Sequence, residues 1–178
     1  GKQLLSSSGH GAMGYSLPAG IGSYYAAPDR QVICVMGDGG IQMNLQELQT
    51  VAREKIPLKI FIMNNQSLGM IRTFHEKFFN NRCFGSVSGY ANPDFEKLAY
   101  AFDILYTKTS TREDFDRLDY GLQTVGPHLF EVVLSPDTQV VPEPAPKRAV
   151  EDQLPLLGRK ELSRLFNMDD PVSKDEKI

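Results

Sequence analysis

Two short apolar runs, Gln31 to Met36 and Leu58 to Met63, constrain this chain more than any other feature. Each is nearly continuous rather than alternating, the pattern of a strand covered on both faces. Each also stops abruptly, the first at Gly37-Asp38-Gly39-Gly40 and the second at Asn64-Asn65. Between them Asn44 and Glu47 match the capping-box pattern, and Leu45, Leu48 and Ala52 recur at helical spacing until Pro57. The spacing predicts a helix of about three turns. Strand, helix and strand then form one crossover unit with parallel strands, because a helical return delivers the chain to the same end of the sheet. The predicted fold class is α/β, a mostly parallel central sheet with helices on both faces.

The flanking segments extend this pattern. Gly11 to Ala27 is rich in Gly, Ala and Ser, as a closely packed helix is, and Pro28-Asp29 ends it. Phe95, Leu98, Ala99 and Phe102 share a helical face after the start signal Asn92-Pro93-Asp94, and Ile104 to Thr109 reads as a strand. Thr111 is a cap for a helix running to about Thr124 with Phe115, Leu118 and Leu122 inward, and Leu129 to Leu134 is the next strand. After Ser135, prolines at 136, 142, 144, 146 and 155 argue against regular structure, and the final MDDPVSKDEKI is too charged to bury much. The expected division is a domain over 1–135 and a Pro-rich tail over 136–178, packed on that domain and disordered at its end.

Composition narrows the function classes. A net charge of -3 with interspersed signs offers no basic face for nucleic acid and no polybasic patch for a membrane. No apolar run approaches the roughly 20 residues of a membrane span. Cys34 lies in an apolar run and Cys83 in a polar one, with no CxxC or Cys/His neighbour, so both read as reduced thiols of a cytoplasmic protein. The first residue is Gly, which fits an internal starting point or a tag remnant.

The chemistry concentrates at the carboxyl ends of the two strands, where parallel sheets leave loops and backbone N–H groups open to ligands. Asp38 follows the first strand and Asn65 the second, so the fold can bring a carboxylate and a carboxamide together. Gly37, Gly39 and Gly40 let backbone amides approach a bulky anion. Magnesium prefers one or two protein oxygens completed by phosphate oxygens and water, so a magnesium diphosphate suits this set. GDG alone is a common turn. GDG after a strand, then a capped helix, a second strand and NN is far more specific.

The stretch GDGGIQMNLQELQTVAREKIPLKIFIMNNQSLGM resembles the thiamine-diphosphate motif of the acetolactate synthase, pyruvate oxidase and related decarboxylase family. GHGAMGYSLPAGIG is similar to the segment that holds the aminopyrimidine in that family, and the similarity runs from about Ser8 to Pro136. The resemblance implies that the Gly11 carbonyl accepts the cofactor's 4'-amino group and that Met13 wedges beneath it. It implies magnesium bound by the Asp38 and Asn65 side chains and the Ser67 backbone oxygen, with Gly37, Gly39 and Gly40 around the diphosphate. By the same resemblance Gly69 and Met70 would line the same pocket, and Met70 and Phe74 would face substrate. Without the family, Met13 reads as core packing and Ser67 as a loop hydroxyl. Phe74 departs from the pattern, standing where biosynthetic acetolactate synthases resemble one another in carrying tryptophan. His10 is either a substrate-facing group or a solvated loop residue, and His75 and His128 read as non-catalytic.

By the same resemblance the chain is the diphosphate-binding domain of a 2-oxo acid decarboxylating carboligase, acetolactate synthase-like, with thiamine diphosphate and Mg2+ as cofactors and pyruvate as a substrate. A relative with another acceptor, or a non-catalytic binding or regulatory subunit of this fold, is the alternative. No catalytic residue is assigned to this chain, because the family's activating glutamate lies on a pyrimidine-binding domain. That domain, as the missing amino-terminal part or a separate subunit, is the expected partner within a homo-oligomer.

Overall fold

In the computed structural model, residues 3–144 and 152–166 are described. They fall into two compact units, one within Gly1–Thr138 and one within Gln139–Ile178. The first contains, in order, α1 (Ser16–Ala26), β1 (Ile33–Gly37), the single turn α2 (Asp38–Ile41), a 3-10 turn at Leu45–Glu47, α3 (Leu48–Arg53), β2 (Lys59–Asn64), α4 (Gly69–Phe78), α5 (Phe95–Ala101), β3 (Leu105–Thr109), α6 (Phe115–Gln123) and β4 (His128–Val133). The four strands form one parallel sheet in the order β1-β2-β4-β3. The α/β expectation therefore holds.

Register determines what each sheet face buries. Cys34 pairs with Ile60 and Ile60 with Leu129, so these side chains point the same way and join Met36 and Ile62 in the main core. Leu17 of α1, Leu48 and Val51 of α3, and Phe95 and Ala99 of α5 close that face. Close approach is visible at Gly20, where an added Cβ would lie 2.2 Å from Cys34 Sγ. On the opposite face Phe61 and Phe130 are register partners and their rings stack at 4.5 Å. A Cβ on Gly121 of α6 would sit 2.4 Å from the Phe130 ring, so α6 covers this side.

Three local expectations are corrected. β1 is covered on one face only: Cys34 and Met36 are buried, whereas Ile33 and Val35 are exposed, because β1 is an edge strand. Phe115 is 59% exposed rather than inward, and the small Gly121 is the buried residue of α6. Asn44 stands at the helix start but forms no side-chain cap, and the expected single helix is a 3-10 turn followed by α3. The other two start signals act as expected: Asp94 accepts the Lys97 amide at 3.1 Å, and Thr111 forms a capping box with Asp114.

The second unit contains a short antiparallel pair, β5 (Glu143–Pro144) with β6 (Gln153–Leu154), and α7 (Arg159–Phe166). The expectation that prolines exclude regular structure after Ser135 is thus overturned locally. RKELSRLF contains no proline, so nothing removes an intrahelical bond there. Arg159 Nη2 donates to Asp152 Oδ2 at 3.0 Å. The terminal MDDPVSKDEKI lies outside the described residues.

Candidate functional site

β1 and β2 are adjacent and in register up to Gly37 and Met63, so the residues that follow them emerge side by side. Asp38 is 1% exposed at the first position of α2. Burial pushes its carboxyl above the usual carboxylate range, and a Tyr90 hydrogen bond and the backbone amides of Asp38, Gly39 and Gln66 oppose that shift. The Gln66 amide belongs to the loop after β2, so the two chain segments meet at this carboxylate. Among the described residues no lysine or arginine pairs with it.

The loop after β2 is shaped by its own asparagines. Asn64 Oδ1 accepts the Gln66 amide at 3.1 Å and Asn65 Oδ1 accepts the Ser67 amide at 3.3 Å, while Gln66 adopts a left-handed φ of 54°. The Asn65 oxygen retains a second lone pair for a cation. Ser67 is buried, and its Oγ has no hydrogen-bond partner. A Cβ on Gly69 would lie 2.9 Å from Asn65 Nδ2, which places the start of α4 against the same loop.

The amino-terminal segment completes the cluster. Gly14 has a φ of +79°, and a Cβ there would meet Asn44 Oδ1 at 2.7 Å, Met43 Cβ at 2.9 Å and the Gly40 carbonyl at 3.0 Å. Asn44 Nδ2 donates to the Gly14 carbonyl at 3.1 Å while Oδ1 has no hydrogen-bond partner, so the side chain is held toward Gly14 rather than over the helix start. Met13 is 48% exposed and its Cε lies 3.5 Å from where a Gly39 Cβ would be; Leu68 Cδ2 lies at 2.4 Å from the same point. Gly39 thus has no room for a side chain unless Leu68 moves.

The structure brings Met13, Asp38, Gly39, Gly40, Asn65, Ser67 and Gly69 together around two loop ends. Gly37 closes β1 directly before Asp38. Gly11, Met70 and Phe74 are exposed, and the contacts just described do not involve them. Gly11 has a φ of +57°, and Phe74 is 55% exposed on α4 with its ring 5.5 Å from that of Phe78. His10 is exposed, whereas His75 Nδ1 lies 3.0 Å from Ser86 Oγ. Tyr90, Gln42, Asn64 and Glu131 belong to the same network without a distinct sequence signal. Only Asn64 carried a hint, as the first residue of the NN pair.

The donor set fits a magnesium diphosphate. A buried carboxylate without a cationic partner faces a loop that offers a carboxamide oxygen and an unpartnered buried hydroxyl. Among the described residues no group of three His, Cys, Asp or Glu could hold a metal unaided. A cation here would take its other ligands from phosphate oxygens and water, as magnesium does and transition metals held in all-protein cages do not.

Residues 1–132 match the family described as "Thiamine pyrophosphate enzyme, C-terminal TPP binding domain". The chain belongs to this family. Its relatives include the acetolactate synthase large subunit of Cyanidium caldarium, 38% identical over 164 residues, covering 92% of this chain and 28% of the relative. The acetolactate synthase isozyme 2 large subunit of Escherichia coli strain K12 is 38% identical over 158 residues, covering 88% of this chain and 29% of the relative. Among solved structures, the Rhodococcus jostii RHA1 thiamine diphosphate-dependent 4-hydroxybenzoylformate decarboxylase aligns with a TM-score of 0.63 at 35% identity, over 72% of this chain and 24% of that one. This thiamine-pyrophosphate-binding domain therefore spans under a third of the length of these relatives. Among its described residues no helix is long and apolar enough to cross a membrane.

Proposed function

We propose that this domain holds the diphosphate end of thiamine diphosphate through one Mg2+ in an acetolactate synthase-type enzyme that decarboxylates pyruvate and joins the remaining unit to a second 2-oxo acid. The observation that carries the proposal is Asp38, a buried carboxylate without a cationic partner among the described residues, set against the Asn65–Ser67 loop. When bound, the cofactor supplies the electron sink for decarboxylation. The protein's part is binding and orientation. Asp38, Asn65 and the Ser67 backbone oxygen would hold the ion, the amides of Gly39 and Gly40 would face the diphosphate, and the Gly11 carbonyl and Met13 would orient the other ring. Met70 and Phe74 would line the substrate side.

The activating glutamate would come from a pyrimidine-binding domain elsewhere in the enzyme, consistent with relatives more than three times as long as this chain. That partner would also exclude water from the cofactor. Homo-oligomeric assembly follows from the family resemblance alone. A cytoplasmic setting is supported by two cysteines, Cys34 and Cys83, that are both free thiols. Phe74 and the similarity to a decarboxylase with an aromatic substrate favour a second reading, a related carboligase or decarboxylase with another acceptor.

Calorimetry on the full-length enzyme tests the site. Asp38→Ala and Asn65→Ala should each weaken magnesium-dependent thiamine-diphosphate binding while circular dichroism shows folded protein. Unchanged affinity in both variants refutes the assignment. Mass analysis of products from pyruvate alone, and with added aldehydes, separates the two acceptor readings.

A further inference from the structure

A tyrosine that carries no motif signal is built into the site from far along the chain. Tyr90 Oη donates to Asp38 Oδ2 at 3.0 Å. Gln42 joins the same network. Gln42 Nε2 lies 3.2 Å from the Asp38 carbonyl and 3.4 Å from the Ala91 carbonyl, two acceptors that orient the amide with its NH2 group toward them. The same NH2 group donates to Tyr90 Oη at 3.1 Å. Two amide protons face these three acceptors, so at least one is shared, and the carboxylate, which only accepts, takes the phenol's single proton.

We propose that Tyr90 is a positioning residue for the metal ion, locking the rotation of the Asp38 carboxylate. The inference rests on the magnesium-diphosphate reading above. With Oδ2 held by the phenol, Oδ1 and the remaining lone pair of Oδ2 stay available to a cation. The phenol also stands where the ligand would approach: its oxygen is 3.4 Å from the point a Gly39 Cβ would occupy, and Met13 Cε is 3.5 Å from that same point. Groups that orient metal ligands typically contribute 10–100-fold to metal affinity.

The test uses the full-length enzyme with thiamine diphosphate in excess and Mn2+ as the probe, free ion being read by electron paramagnetic resonance. Tyr90→Phe removes one oxygen and keeps the ring. It should weaken Mn2+ binding by roughly tenfold or more, and Gln42→Met, which frees the phenol to rotate, should weaken it in the same direction by less. A lower melting temperature with unmoved Mn2+ affinity makes the hydroxyl merely structural and overturns the proposal. Tighter Mn2+ binding in Tyr90→Phe also overturns it, because the phenol would then compete with the ion. Asp38→Ala measured in parallel separates the two levels: if it loses Mn2+ while Tyr90→Phe does not, the site stands and the role of Tyr90 falls. If Asp38→Ala retains Mn2+, both fall. Should Tyr90→Phe fail to fold, Gln42→Met carries the same test with the same outcomes.

Discussion

Glu131 Oε1 accepts a hydrogen bond from Asn64 Nδ2 at 2.7 Å, inside the sheet and directly behind the loop that follows β2. Both residues are buried, and Tyr106 donates to the other carboxylate oxygen. Because Asn64 Oδ1 holds the Gln66 amide, Glu131 fixes from β4 the turn that presents Asn65 and Ser67. Glu131→Ala would leave the buried Asn64 donor unmet, costing about 1–3 kcal/mol, and the half-buried Tyr106 donor, costing less because water can reach it. The expected loss is about 2–4 kcal/mol, read from a lower urea midpoint at constant slope. Cofactor affinity should fall with it. Coincident midpoints would show that Asn64 and Tyr106 find other acceptors.

Two glycines should respond in opposite directions to the same change. Gly14→Ala forces a Cβ at a left-handed φ of +79° and within 3.0 Å of the Gly40 carbonyl, so it should cost about 1–3 kcal/mol and disturb the Asn44 contact. Gly22 lies within α1 with nothing inside 4 Å of its Cβ position, and Gly22→Ala should stabilise by roughly 0.5–1 kcal/mol. Thermal denaturation of both variants decides. Equal shifts of the same sign would contradict the packing described for Gly14.

His128, at the start of β4, gives the domain an acid-sensitive element remote from the loops that follow β1 and β2. Burial, and secondarily the Lys59 charge, push its pKa from 6.5 down to about 4. The ring is held neutral between Thr107 Oγ1 at 2.9 Å and Thr124 Oγ1 at 3.1 Å. Between pH 6.5 and 4 the unfolded chain therefore binds more protons than the folded one, so stability is intact above about 6.5 and is lost as pH falls toward 4. The effect should be on the order of 1–3 kcal/mol. Urea melts at pH 7 and pH 5 should show that loss in the wild type and a smaller one in His128→Gln. Parallel losses would place the titrating group elsewhere.

Phe74 tests the substrate side. It is exposed on α4, and a change in side-chain size in an acceptor pocket is worth roughly 1–3 kcal/mol of discrimination. Phe74→Trp should shift the product ratio when pyruvate and 2-oxobutyrate compete in the full-length enzyme. An unchanged ratio makes Phe74 a packing residue.

The isolated domain should bind but not turn over. With magnesium and thiamine diphosphate it should consume no pyruvate, and activity should appear on adding the amino-terminal part of its own enzyme. Robust turnover by the domain alone would remove the need for a second domain.

Much of this fold follows from local physics. The apolar runs, the Asp94 cap and the Thr111 capping box act over a few residues, so period and turn chemistry are enough to place them. The outer elements of the site were legible for the same reason: Asp38 and Asn65 each follow a strand end, and a parallel crossover can only deliver both ends to one edge of the sheet. What escaped depends on partners distant along the chain. Asn44 has the composition of a cap, yet the Gly14 carbonyl, 30 residues away, takes its amide. Phe115 has the spacing of a core residue, yet Gly121 is what lets α6 approach Phe130. β1 reads as doubly covered, but its edge position leaves Ile33 and Val35 exposed. Glu131 and Tyr90 reach the site across 67 and 52 residues, contacts that exist only once the order β1-β2-β4-β3 and the loop before α5 are in place. Sequence determined where polar groups leave the strands; tertiary structure decided which of them meet, because a side-chain hydrogen bond is specified by position in space and not by spacing along the chain.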